Sequence, residues 1–191
     1  MTDRVSNQLR DTIVGVGVSH GREILSSIPS GDVQIRQASL MHLETIVGFN
    51  AAMAKETEGK ELDIGLLRSG VEAVLTRSEL GFYLVAEHTG RPVGQLLITY
   101  EWSDWRNAFF WWIQSVYVSP EYRRMGVYNA LHDYAAAEAR RKGNVCGLRL
   151  YVDKDNHIAQ GVYTSLSMRQ ARYDMYEIEF ETGQEEQDAV R

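Results

Sequence analysis

Cysteine is nearly absent. Cys146 stands alone among 191 residues, so no disulfide can close within the chain. Its neighbours Val145, Gly147 and Leu148 read as a strand, and a buried, unreactive thiol is expected there. Long apolar runs are missing too. None approaches the length of a membrane span, and the opening MTDRVSNQLRD is too polar for a signal peptide, so a cytoplasmic protein with no membrane partner is expected. Basic charge is in deficit: 20 Lys and Arg face 26 Asp and Glu, a net charge of -6. Phosphate contacts need clustered Lys and Arg, so no nucleic-acid partner is expected. No His/Cys cluster has ligand spacing, and no metal is expected.

What remains is ordinary globular composition. Hydrophobic residues make up 44% and charged residues 24%, enough for one domain with a sizeable core. Residues 1–32 read as an N-terminal extension, 33–180 as the domain, and 181–191 as an acidic, solvated tail. In the extension, the glycine-alternating run Ile13 to Val18 offers at most a weak strand, and GVGVSHG lacks the Lys-Ser/Thr ending of a phosphate loop.

Across the domain, period-two and helical spacings alternate. Strands are expected at 33–36, 82–87, 93–100, 109–118, 148–152 and 173–180, with His88-Thr89-Gly90-Arg91 turning the second into the third. Helices are expected at 40–55 behind an N-cap at Ser39, at 63–77, at 126–142 stopped by Gly143, and at 156–166. The order β-α-α-β-β-β-α-β-α-β describes a mixed α/β domain without repeats.

The most informative segment runs from Gln114 to Leu131 as strand, short loop and helix start. Pro120 ends the strand because it cannot donate to a ladder. Gly126 opens the helix, where a missing side chain lets a ligand approach the backbone. The first helix amides lack internal partners and lie at the positive end of the dipole, which suits a pyrophosphate. Arg123 and Arg124 add charge beside it.

This segment resembles the acetyl-CoA signature of the GNAT superfamily, Gln/Arg-x-x-Gly-x-Gly/Ala after a strand ending in Val-x-Pro. Arg123 takes the Gln/Arg place and Gly126 the first Gly. A second block, Asn156-x-x-Ala159-x-x-x-Tyr163-x-x-Leu166, resembles the later helix of that family. The resemblance spans about 33–180. It implies a mixed, mostly antiparallel sheet flanked by helices and splayed near the acetyl-CoA site. It further implies that backbone amides from Met125 through Val127 and Tyr128 to Asn129 hold the pyrophosphate. Val116 and Val118 would present backbone groups to the pantetheine arm like an added strand. Tyr163 would donate a proton to the departing thiolate. Asn156 would either bond the cofactor arm or cap its helix.

Three departures from the family pattern stand out. Tyr128 occupies a position usually held by Gly or Ala, so a bulky side chain is expected to turn outward or lie along CoA. Ser167-Met168 replace Gly-Phe and are expected to loosen the last helical turn. The strand 109–118 carries no carboxylate to serve as general base. An amine must be neutral to attack, so Glu101, at the end of the preceding strand, is the leading proton acceptor, ahead of Asp104 and Glu87; a water chain needs none of them.

The acceptor side is less legible. Trp102, Trp105, Trp111 and Trp112 divide between core and acceptor contacts, and the acidic loop 56–61 could attract a cation. The expected function is acetyl transfer from acetyl-CoA to a primary amine of a small molecule. The alternatives are a non-catalytic acyl-CoA-binding module and a protein or peptide N-acetyltransferase. A homodimer is compatible with the sequence.

Overall fold

The computed structural model describes residues 33–180, so the extension and the acidic tail lie outside the described residues. β1 (Val33–Gln37) is followed by a 3₁₀ turn, Leu40–His42, that feeds α1 (Leu43–Glu58). The Ser39 N–H donates to His42 Nδ1 at 3.1 Å, so the expected cap marks this turn, and α1 begins three residues later than its spacing suggests. α2 (Ile64–Thr76) starts at Asp63, whose carboxylate accepts from the Leu66 N–H at 2.8 Å.

β2 (Phe82–His88) turns into β3 (Arg91–Ser103) through Thr89 and Gly90, whose φ values of 50° and 77° give the turn twist that matches a hairpin. β4 (Ala108–Val118), α3 (Val127–Lys142), β5 (Val145–Arg149) and α4 (His157–Ser165) complete the order. The sheet runs β1-β2-β3-β4-β5, antiparallel except for the parallel β4–β5 pair that α3 connects.

Side chains alternate across the sheet and divide the core in two. Leu84, Ala86, Leu96, Ile98, Trp111 and Ile113 face α3 and α4. Tyr83, Val85 and Leu97 face α1 and α2, against Leu43, Ile46, Val47 and Val71.

Three expectations are corrected. The segment 173–180 forms no strand: its side chains are exposed, with Tyr176 93% accessible. Alternating apolar residues favour a sheet surface, but a strand needs a ladder partner, and this stretch has none among the described residues. β5 lies at 145–149 rather than 148–152, because its ladder with β4 pairs Val145 with Phe109 and ends at Arg149 opposite Trp112. Cys146 is exposed rather than buried. Val145 and Leu148 take the packed positions of this edge strand and leave Cys146 outward, its thiol donating to the Phe109 carbonyl at 3.2 Å.

Candidate active site

The site begins with a fault in the ladder. Between β3 and β4 the register slips, so that Gln95 pairs with Tyr117 but Leu97 with Gln114. Ser115 supplies the extra residue in the left-handed region, at φ 47°. Such a bulge bends its strand and sharpens the local twist. On the other edge of β4, pairing with β5 ends at Trp112. From Ile113 to Val118 that edge faces no strand among the described residues, which opens a fork between β4 and β5.

Buried polar groups brace the bulge from the α1 side. Gln95, fully buried, donates through Nε2 to Asn50 Oδ1 at 2.6 Å and to the Ser115 carbonyl at 3.4 Å. Asn50 Nδ2 in turn donates to Tyr83 Oη at 3.2 Å. The Ser115 carbonyl, displaced from the regular ladder, thus gains a side-chain donor. Sequence reading missed this network, although a Gln amid the apolar run of β3 and an Asn on the buried face of α1 are its visible signals.

The unpaired β4 edge leads to the loop before α3. Arg124 and Gly126 both have positive φ, 63° and 82°, on either side of Met125. A backbone curled this way turns successive amides inward as an anion-binding nest. The first helical bond is Ala130 N–H to the Gly126 carbonyl, so the amides of Val127, Tyr128 and Asn129 have no intrahelical acceptor. A Cβ built on Gly126 would meet nothing within 4 Å, so open space lies over the loop there. Conformation and free donors both fit a pyrophosphate, and the backbone of Val116 and Val118 on the open edge fits an extended amide-bearing arm.

Arg123 and Arg124 part company. Arg123 donates to the Val118 carbonyl at 2.9 Å and to Glu56 Oε2 at 2.6 Å, with its guanidinium 5.6 Å from the Tyr117 ring centroid. It ties the loop to the end of α1, and its charge is balanced by Glu56. Arg124 is exposed. The acidic loop expected at 56–61 is partly helical, since α1 runs to Glu58.

Tyr128 turns inward, against the expectation that it points outward or along CoA. The buried face of α3 comprises Val127, Tyr128, Leu131, His132 and Ala135, and helical phase places Tyr128 on it. Only its amide faces the loop, so a large residue fits where the family pattern has a small one. The ring meets Tyr163 edge-on at 6.0 Å. The Tyr128 hydroxyl is buried without a partner among the described residues, and burial pushes its pKa up.

Tyr163 is itself buried on α4, and burial raises its hydroxyl pKa to about 12. Asn156 caps α4, its Oδ1 accepting the Ala159 N–H at 3.0 Å. The end of α4 is not loosened. Ser167 adopts φ 64°, its N–H donates to the Thr164 carbonyl, and the Met168 N–H donates to the Tyr163 carbonyl, each at 3.0 Å. This is a Schellman closure with serine in the glycine place.

Glu101 lies on the opposite face of the sheet. It accepts from Arg149 Nη1 and from Trp112 Nε1, each at 2.5 Å. Burial pushes its carboxyl up, but the Arg149 and Trp112 hydrogen bonds outweigh this and hold it below the usual glutamate range. A carboxylate so held is a weak proton acceptor. Glu87 is engaged by Arg36 and His42, and Asp104 accepts from the Trp105 amide. Of the four tryptophans, Trp111 is core, while Trp105 is 90% exposed. No described helix is long and apolar enough to cross a membrane, and the described residues contain no cluster of three or more His, Cys, Asp or Glu that could hold a metal.

Comparisons with known proteins agree with this geometry. The family model described as Acetyltransferase (GNAT) family matches residues 48–168. A possible acetyltransferase from Clostridium difficile 630 is 47% identical, with a TM-score of 0.74 over 78% of this chain and 99% of that one. At 17% identity, two structures share the fold with TM-scores of 0.63. One is an aminoglycoside N-acetyltransferase in complex with CoA, matched over 77% of this chain and 94% of that one. The other is a predicted acetyltransferase with acetyl-CoA from Clostridium acetobutylicum, matched over 76% and 96%. No curated protein matches the sequence. This chain belongs to the acetyltransferase (GNAT) family.

Proposed function

We propose that the chain is an acetyl-CoA-dependent N-acetyltransferase that acts on a primary amine of a small molecule by direct attack. The observation that carries this reading is the continuous track from the unpaired β4 edge at 113–118 to the free amides of 127–129, a strand-like and then anionic binding surface. The pantetheine arm pairs with the open edge and the pyrophosphate sits in the loop around Met125 and Gly126, with Arg124 as the exposed cation beside it. The acceptor nitrogen forms a C–N bond to the acetyl carbon as the C–S bond breaks. Tyr163 supplies a hydrogen bond to the departing sulfur as its negative charge builds, and the thiolate takes its proton from solvent.

The attacking amine must lose a proton as well. Glu101 is tied to Arg149 and Trp112, so it serves poorly as the base assigned to it on sequence grounds, and water carries that proton to solvent. A thiol-release assay with acetyl-CoA across a panel of amines tests the reading. Amine-dependent release supports it. Tight binding of acetyl-CoA with no release from any amine would favour a non-catalytic acyl-CoA-binding module instead.

A further inference from the structure

Gly147 lies opposite Phe110 in the β4–β5 ladder, and a Cβ there would stand 2.9 Å from the Phe110 ring. Its missing side chain makes room for that ring to lie against β5. On this platform rests Arg149, its guanidinium carbon 3.6 Å from the Phe110 centroid. A stacked guanidinium keeps its N–H groups in the plane parallel to the ring, where they can bind a planar anion side-on. Of its five N–H donors, Arg149 has one engaged, through Nη1 with Glu101. Its side chain is 36% exposed.

Charge points the same way. The Arg106 guanidinium also lies over the Phe110 ring, at 5.1 Å, and has no ion-pair partner among the described residues. Two guanidiniums therefore lie over this ring, and of the two only Arg149 has an ion-pair partner among the described residues, Glu101. Position completes the case. Arg149 and Trp112 form the last rung before β4 and β5 part, so the guanidinium stands at the fork. It lies on the face opposite Tyr163. A nucleophile arriving from this face meets the thioester on the side away from the group that assists the leaving sulfur. Trp112 and Tyr151, with ring centroids 6.2 Å apart, provide an aromatic wall beside it.

We infer that Arg149 receives a carboxylate of the acceptor, so that the substrate class is amino acids, with an apolar or aromatic side chain against Trp112 and Tyr151. This rests on the acetyltransferase reading above. Glu101 then acts as a positioning residue that holds the Arg149 fork in place.

The test uses the full chain in thiol release, with amino acids and their decarboxylated counterparts as matched pairs, phenylalanine against phenethylamine among them. The carboxylate should improve kcat/KM by about ten- to a hundredfold, the effect of a charge-assisted pair of hydrogen bonds. Arg149→Gln should narrow that ratio below about threefold, mainly through KM. Arg149→Lys, which keeps the charge without the fork, should restore part of it. The thermal shift given by acetyl-CoA should be the same in both variants and the parent, which also confirms that they fold. Equal or better use of decarboxylated amines would overturn the inference. So would an Arg149→Gln loss that falls alike on both members of a pair, or no turnover of either class by protein that binds acetyl-CoA. Absence of acetyl-CoA binding in the parent would instead sink the acetyltransferase reading itself.

Discussion

Replacing Tyr163 by phenylalanine removes one hydroxyl and keeps the ring that packs edge-on against Tyr128 at 6.0 Å. The size of the effect follows from burial. With a hydroxyl pKa near 12, Tyr163 is a much weaker acid than a thiol of about 8.5. Full proton transfer to a free thiolate is then uphill by about 3.5 units, or about 5 kcal/mol. Tyr163 should therefore act chiefly as a hydrogen-bond donor to the sulfur as negative charge builds. A hydrogen bond to a charged group is worth about 1.5–3 kcal/mol, which corresponds to a turnover loss of about ten- to a hundred-and-fiftyfold. The assay is steady-state thiol release with Tyr163→Phe, alongside acetyl-CoA affinity by calorimetry, which should be nearly unchanged. Burial keeps the phenol protonated well above neutrality, so no limb of the wild-type pH–rate profile below about pH 11 should belong to it. Unaltered turnover, or an alkaline limb near pH 8–9 that vanishes in the variant, would refute this account.

Three further outcomes follow from the geometry. Gly126→Asp should abolish the thermal stabilisation given by CoA, because a side chain at φ 82° is strained and its charge opposes the pyrophosphate; an unchanged shift would move the anion site elsewhere. Ser167→Gly should raise Tm by about 2–4 °C, since glycine takes φ 64° without the Cβ penalty of about 1 kcal/mol. Tyr128→Phe removes a buried hydroxyl that has no partner, so chemical denaturation should show equal or greater stability, by up to about 1–3 kcal/mol. A marked loss there would reveal a hydrogen bond that the hydroxyl makes.

Elements whose signals are local were legible in the sequence. Thr89-Gly90 could only turn a hairpin and Gly143 closes α3 at φ 73°, because each feature acts within a few residues. The succession of strand, short loop and helix start from Val118 to Val127 was legible for the same reason. Features that arise between distant segments were not. The Ser115 bulge depends on how β3 and β4 align, and no spacing within β4 alone announces it. Tyr128 looked obstructive because its position was read along the chain, whereas helical phase turns it into the core. The segment 173–180 has strand-like alternation, but alternation cannot supply a neighbour. Arg149, within the strand expected at 148–152, carried no signal of its own, because its meaning needs Phe110 and Glu101 beside it.

The partnership of Glu101 with Arg149 bears on how the two faces of the sheet divide the chemistry. A carboxylate near the fork was sought as a base because the strand 109–118 carries none. A good base needs a pKa near the working pH, which calls for burial away from cations. Glu101 has the reverse environment: 38% of its side chain is exposed, and a guanidinium and an indole N–H both donate to its charged form. Those contacts suit a fixed anion whose task is to orient a cation. The α1 side of the fork thus carries an ion pair, Glu101 with Arg149. The α3 side holds Tyr128 and Tyr163, whose hydroxyls burial keeps neutral. An ion pair held in fixed geometry is good at keeping a charged acceptor in place, and a neutral buried donor is good at meeting charge that appears only as the C–S bond breaks. On this division the amine's proton needs no protein acceptor. The acidic limb of the rate profile should accordingly follow the pKa of the amine supplied, and should move with it when a less basic amine is used.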